Sequence, residues 1–351
     1  MSISTQSFIA RLGLSVPIVQ APMAGYQASP LAIAAARAGA LGSLPGASLS
    51  PQALRDEVAA MRADGQRPVN VNFFSHAQPA SDPMREQAWR EALRPYFDEL
   101  GIDPAGIASG AGRLPFGEEA VAVVEELRPQ VVSFHFGLPG DELLQRVRRT
   151  GAQIWSSATT VEEARWLEAR GVDAVIAQGV EAGGHRGMFL SEDITTQVGT
   201  LALVRQVVNT VRVPVIAAGG IADSAGVAAA LRLGAVAVQV GTAFMLCPEV
   251  TLSAPHRAAL TSPAVEHTAL TNLFTGRPAR GIFNRLMRDL GPMSPLPPAF
   301  PGAVNALAPL RAAAEKMGRG DFSPLWVGQH PPIASGVSAT QIVRELSQQL
   351  S

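Results

Sequence analysis

Short, mostly apolar runs recur along this chain, separated by longer stretches with helical spacing. The runs are Pro17 to Met23 (PIVQAPM), Ala40 to Leu44, Val69 to Phe74 (VNVNFF), Val131 to Gly137 (VVSFHFG), Gln153 to Ala158 (QIWSSA), Ala174 to Gln178, Pro214 to Ala218 and Ala235 to Val240. Helical patterns lie between them, among them Pro30 to Ala38, a segment starting at the Ser50-Pro51 cap, Val161 to Arg170 and Ser224 to Leu233. Eight such repeats predict eight βα units, and strands apolar through their length predict a parallel sheet covered on both faces. An open doubly wound sheet would need GxGxxG after its first strand and an acid ending its second. Both are missing, so the pattern points to a closed (β/α)8 TIM barrel.

The rhythm breaks twice. Ser75 to Pro129 is too long for a crossover and rich in Pro, Gly and charge. Helices are expected there over Asp82 to Glu99 and Glu118 to Arg128, in an excursion over the open end of the barrel. Its Gly110-Ala111-Gly112 looks like the start of a dinucleotide fingerprint. However, it follows no strand, and Leu114-Pro115 stands where a third glycine and a helix should be. After Cys247 the pattern changes again. Leu252 to Phe300 reads as loop-rich, Val304 to Met317 as a helix, Phe322 to Gln329 as a loop and Ser338 to Leu350 as a closing helix. The expected organisation is a barrel over 1–74 and 131–247, an insertion after strand three over 75–130, a C-terminal capping and substrate segment over 248–330, and a helix within 331–351 returning to the barrel.

Composition narrows the chemistry. A 351-residue chain that is 47% hydrophobic and 16% charged has the balance of a well-cored enzyme. Its formal net charge of -1 gives no field for nucleic acid or an anionic membrane. No apolar run approaches the ~18 residues of a spanning helix. The N-terminus lacks a basic region followed by an apolar core, so a cytoplasmic protein is expected, with monomer and homodimer both open. The single cysteine, Cys247, excludes an internal disulfide and a cysteine-cluster metal site, and its apolar surroundings read as those of an inert thiol. No His/Asp/Glu grouping has metal-ligand spacing, so no metal is expected. The only lysine, Lys316, lies in a helical stretch far from any strand end, against Schiff-base chemistry.

The strand ends carry the candidate chemistry. Strand seven ends in Gly219 and Gly220, strand eight in Gln239, Val240, Gly241 and Thr242. Turns after the last two strands of such a barrel commonly hold a phosphate on backbone N–H groups. Met23, Asn72 and Gln178 stand at other strand ends, followed on the strand-six loop by Gly183, Gly184 and His185. Neutral amides and a thioether suit the edge and face of a flavin, whereas a sugar phosphate isomerase would want carboxylates there. FMN is therefore the expected cofactor. His185 and His135 are the candidate catalytic residues, as base, hydrogen-bond donor or anion partner. For His135, flanked by Phe134 and Phe136, a buried core histidine is an equal reading. His76 is a weaker candidate, and His256, His267 and His330 are expected in solvent.

Taken together, QAPMAG (Gln20 to Gly25), VNVNFF, SFHFG (Ser133 to Gly137), QGVEAGGHRG (Gln178 to Gly187), AAGGIAD (Ala217 to Asp223) and QVGTAF (Gln239 to Phe244) resemble the nitronate monooxygenase family, class I, formerly called 2-nitropropane dioxygenase. TGRPARG (Thr275 to Gly281) and the late WVGQ resemble that branch too. The resemblance implies an FMN-dependent, NAD(P)H-independent flavoprotein that detoxifies alkyl nitronates such as propionate 3-nitronate, using O2 and yielding a carbonyl compound and nitrite. It implies that His185 is the active-site histidine and that Met23, Asn72, Gln178, Gly183, Gly220 and the Gln239 to Thr242 segment hold FMN. Relatives of that branch carry a tyrosine and a lysine in the capping segment. Here Phe300 and Asn305 stand in their places, which bears on substrate preference.

Two other readings compete. An NAD(P)H-dependent flavin reductase acting on an enoyl thioester or quinone would need a second nucleotide site, with Arg277, Arg280 and Arg285 as its candidates. A flavin- or phosphate-binding sensor would bind without turnover.

Overall fold

The computed structural model describes residues 4–107, 112–332 and 335–350. Gly110 and Ala111 of the glycine triplet lie outside these. Eight strands form the barrel: β1 (Ile18–Gln20), β2 (Gly42–Leu44), β3 (Val69–Phe74), β4 (Val131–His135), β5 (Gln153–Ala158), β6 (Ala174–Gln178), β7 (Val215–Ala218) and β8 (Ala237–Val240). They pair in parallel around the ring, β8 against β1 with Val19 opposite Gln239. A bridge from Val19 to Leu41, just before β2, closes the circle.

Two clusters of buried side chains explain why every strand reads as apolar. One face of each strand packs under the surrounding helices. The other fills the barrel with Val19, Val131, Trp155, Ala174, Ile176, Ile216 and Ala237. Helix Thr5–Leu12 closes the bottom by adding Phe8, Ile9 and Leu12 to that interior, with Phe8 5.7 Å from Trp155 ring to ring. The barrel is thus plugged at the N-terminal ends of its strands and open at the C-terminal ends, where this architecture places chemistry. Helix starts follow local rules. Ser50, with Pro51 behind it, accepts from Ala53 N–H at 3.2 Å, and Asp223 accepts from Gly226 N–H at 2.7 Å.

The two helices after β3 have different fates. Glu118–Leu127 packs among the barrel helices, between Pro51–Ala63 and Asp141–Arg149. Helix Pro83–Leu100 instead lies against Ala303–Lys316 of the C-terminal segment. There Trp89, Leu93, Phe97, Phe274, Leu310 and Phe322 form a separate apolar core, and the Trp89 indole donates to Ala303 O at 3.2 Å. These pieces, distant in sequence, make one lid above the open end.

The Leu252 to Phe300 stretch is more regular than its sequence suggests. It contains helices Ala254–Leu260 and Arg285–Leu290 and an antiparallel pair, β9 (Thr268–Thr271) and β10 (Ala279–Ile282). Among the described residues no helix is long and apolar enough to cross a membrane.

Candidate active site

The strand ends and the lid enclose a cavity of about 770 Å³. Ten of the eleven residues expected to hold a cofactor line it: Met23, Asn72, Gln178, Gly183, Gly184, Gly219, Gly220, Gln239, Gly241 and Thr242. Val240 does not, because its side chain points into the core under the helices. Both candidate histidines, His185 and His135, line the same space.

At one end lie the turns after β7 and β8. Gly219 and Gly220 have φ of +117° and +67°, a backbone that only glycine adopts without strain. The Thr242 hydroxyl accepts from Gly328 N–H at 2.9 Å, so its own proton is free to be donated. The Gln239 side-chain oxygen is buried without a partner. A buried acceptor left open in a cavity wall is costly unless a ligand satisfies it.

At the other end the loop after β6 is braced from three sides. Gln178 Oε1 accepts from Gly187 N–H at 2.7 Å, and its Nε2 donates to His185 O at 3.0 Å. Arg186, fully buried, donates to Gly179 O (2.7 Å), Gln178 O (2.6 Å) and Gln197 Oε1 (2.9 Å). From above, Gly184 and His185 form a two-residue strand paired with Arg280 and Ala279 of β10. The glycine-rich segment is therefore a clamped strand rather than a free turn. Gly187 allows this close packing, since a Cβ there would fall 2.8 Å from the His135 ring.

The His185 ring sits in an aromatic enclosure of Phe74, Phe136, Phe300 and Trp326, with ring centres 5.4 to 6.1 Å away. Its Nε2 lies 2.9 Å from the Thr275 hydroxyl, which is also 3.3 Å from Arg277 O. Burial, then the neighbouring His135, Arg113, Arg277 and His76, hold the imidazole well below its ordinary pKa. It is neutral at rest. His135 is more tightly tied. Its Nε2–H donates to His185 O at 3.2 Å, and its Nδ1 accepts from the Ser157 hydroxyl at 2.9 Å. Burial brings its pKa down to about 3. With both nitrogens engaged, His135 supports the backbone of His185.

Other expectations need correcting. His256 is buried, edge-on to Tyr26 at 5.2 Å, and not in solvent. Half-buried His330 lines the cavity, 3.9 Å from Asp223, whereas His267 is exposed and stacks on Phe283. Arg277, Arg280 and Arg285 do not line the cavity. Arg277 donates to Met188 O and covers the Phe136 ring; Arg280 donates to Val180 O; Arg285 pairs with Glu99. They therefore do not assemble a second nucleotide site. Phe300 and Asn305 do face the cavity. Thr275 and Arg113 also line the cavity, and neither stands at a barrel strand end, so the strand-end pattern does not mark them. Only the TGRPARG motif hinted at the first.

A closed parallel barrel whose open end gathers glycine turns, amides and a sequestered imidazole defines this chain as a TIM-barrel enzyme. Residues 6–349 match the family model described as nitronate monooxygenase. The chain belongs to the nitronate monooxygenase family, a family of oxidoreductases. A nitronate monooxygenase of Pseudomonas aeruginosa is 42% identical over 349 residues, 99% of each chain. One of Paraburkholderia phytofirmans is 40% identical over 347 residues, 98% of this chain and 95% of that one. Among solved structures, a nitroalkane oxidase from Streptomyces ansochromogenes superimposes with a TM-score of 0.87 at 39% identity, covering 99% of this chain and 98% of that one. FabK from Thermotoga maritima gives 0.68 at 26% identity, covering 99% and 95%.

Proposed function

We propose that this enzyme binds FMN and uses O2 to oxidise alkyl nitronates, propionate 3-nitronate among them, to a carbonyl compound and nitrite. The observation that carries this reading is one cavity, in a chain of this family, shared by the glycine turns of β7 and β8 and by His185. The residues fit a flavin mononucleotide. Gly219, Gly220, Gly241 and Thr242 would hold its phosphate with N–H and hydroxyl donors. The unsatisfied Gln239 oxygen would accept from its ring edge. Asn72 lines the cavity with its amide nitrogen donating to Ser133 O and Oγ, and its Oδ1 would add a second acceptor. Met23 supplies soft apolar surface. When bound, FMN supplies the electron acceptor that no side chain of this site provides.

The chain itself handles the anion and the proton. Thr275 can orient its hydroxyl in two ways. If it donates to Arg277 O, it accepts from His185 Nε2–H, and Nδ1 is left as a base for the carbon acid of a neutral nitroalkane. If it donates to Nε2, the ring carries its proton on Nδ1 and becomes a donor to a nitronate oxygen. Either form stays neutral, and an incoming anion stabilises the protonated ring that follows. The aromatic enclosure excludes water and strengthens each of these interactions.

The purified protein should be yellow, with a flavin absorption spectrum. That colour should bleach without oxygen on adding a preformed nitronate, but not on adding NADH. Bleaching by NADH alone would favour a pyridine-nucleotide-dependent reductase instead. His185→Asn should retain the flavin and lose at least about 100-fold in turnover of neutral nitroalkanes. Unchanged turnover would remove His185 from the mechanism.

A further inference from the structure

Arg113 stands on the lip of the cavity, held in place by its backbone. Its carbonyl accepts from His76 Nε2 at 3.1 Å. The preceding Gly112 packs so close to the lid that a Cβ there would lie 2.6 Å from Pro301 Cγ. The guanidinium faces the cavity, its central carbon 5.3 Å from the centre of the Phe74 ring. That ring is in turn 6.1 Å from the ring of His185, so Arg113 and His185 flank the same aromatic surface.

Among the described residues no carboxylate pairs with Arg113, and burial lowers its pKa with no acid opposing the shift. Among the described residues Glu315 is the only acid lining the cavity. It is taken by Arg311 at 2.9 Å and by the Ser323 hydroxyl at 2.7 Å. The other ionisable groups around His185 are His76, His135 and Arg277, all of cationic type. A half-buried guanidinium without a counter-ion is costly in the free enzyme, and a ligand anion relieves that cost. Its planar fork suits a carboxylate better than a single oxygen.

We propose that Arg113 anchors a carboxylate on the tail of the substrate, so that the site selects nitronates bearing a second negative charge. This rests on the nitronate reading above. His185 takes the nitronate end and Arg113 the far end, across the face of Phe74.

The test uses the FMN-loaded protein and two matched pairs. Propionate 3-nitronate is compared with propyl 1-nitronate as substrates, and succinate with butyrate as unreactive ligands followed by calorimetry. In each pair a methyl replaces the tail carboxylate. The parent enzyme should prefer the dianion in both pairs. Arg113→Gln should lower each preference by about tenfold or more, and Arg113→Lys should restore part of it. A preference that survives Arg113→Gln, or succinate binding no tighter than butyrate, would overturn the proposal. If neither nitronate is oxidised yet succinate binding still depends on Arg113, the anion anchor stands and the reading of the reaction falls.

Discussion

Arg186 shows how far a single residue's role can depart from its sequence neighbourhood. In QGVEAGGHRG it reads as a charge on a flexible glycine loop, and such charges usually sit in water. Here it is fully buried, its pKa lowered to about 9 by burial, and its donors meet the carbonyls of Gln178 and Gly179 and the Gln197 amide. Its role is to fix where β6 ends, and so where His185 begins. Arg186→Met would keep the bulk but strand two buried carbonyls. The expected loss is about 3 kcal/mol or more in urea unfolding, with a larger fall in turnover than in flavin content. A variant as stable as the parent would mean the loop is held by β10 alone. His185 and Gln178 could be picked out in the sequence because they stand at or just past a strand end. Arg186 could not, since nothing local reveals that a guanidinium will be enclosed.

At the scale of elements, the barrel was the legible part. Val69–Phe74, Gln153–Ala158 and Ala174–Gln178 begin and end where the apolar runs do, since strands buried on both faces leave continuous hydrophobic runs. The pair β9 and β10 left no such trace. They are four residues each, and β10 (ARGI) carries a buried arginine whose donors go to Val180 O and Thr268 Oγ1. That charge breaks the pattern that would have marked a strand. The same limit hid the partner of Gly183. In the sequence it reads as a cofactor-holding glycine on the strand-six loop, yet the closest constraint on it is the late WVGQ segment. A Cβ at Gly183 would lie 2.5 Å from Gly328 N and from Val327 C, both backbone atoms that cannot rotate away. Gly183→Ala should push that segment outward and weaken the Gly328 to Thr242 hydrogen bond at the mouth. The expected cost is about 1–3 kcal/mol of stability, with weaker FMN retention on gel filtration. Full retention of FMN at parental stability would show that the late segment yields freely.

The whole molecule brings these parts together, and its response to acid follows from what it buries. A lid built from residues 83–100 and 268–329 covers a barrel whose mouth already holds imidazoles, so His135, His185 and His256 fold in their neutral forms. Burial depresses all three, to about 3 for His135, about 4 for His256 and well below the ordinary value for His185. In the unfolded chain each titrates near its ordinary value of 6.5. Below that pH the unfolded state binds protons that the native state refuses, so stability is full above about 6.5 and falls as pH drops towards 4. Each such histidine contributes a slope of about 1.4 kcal/mol per pH unit at most. Glu99, whose two arginine partners bring its pKa down to about 2, adds its loss only below the ordinary carboxylate range. The two effects therefore occupy separate windows. His256 is the cleanest probe, because it is buried beside Tyr26, does not line the cavity, and has an Nε2 without a partner. His256→Phe keeps the aromatic contact and removes the titration. In thermal unfolding from pH 7 to 4.5 the parent's Tm should fall steadily, and that of His256→Phe should fall by about a quarter less, because buried His76 is also held below its ordinary value and adds to the same slope. Parallel curves would mean that His256 is protonated in the folded state and that the lid admits water where the structure packs it shut.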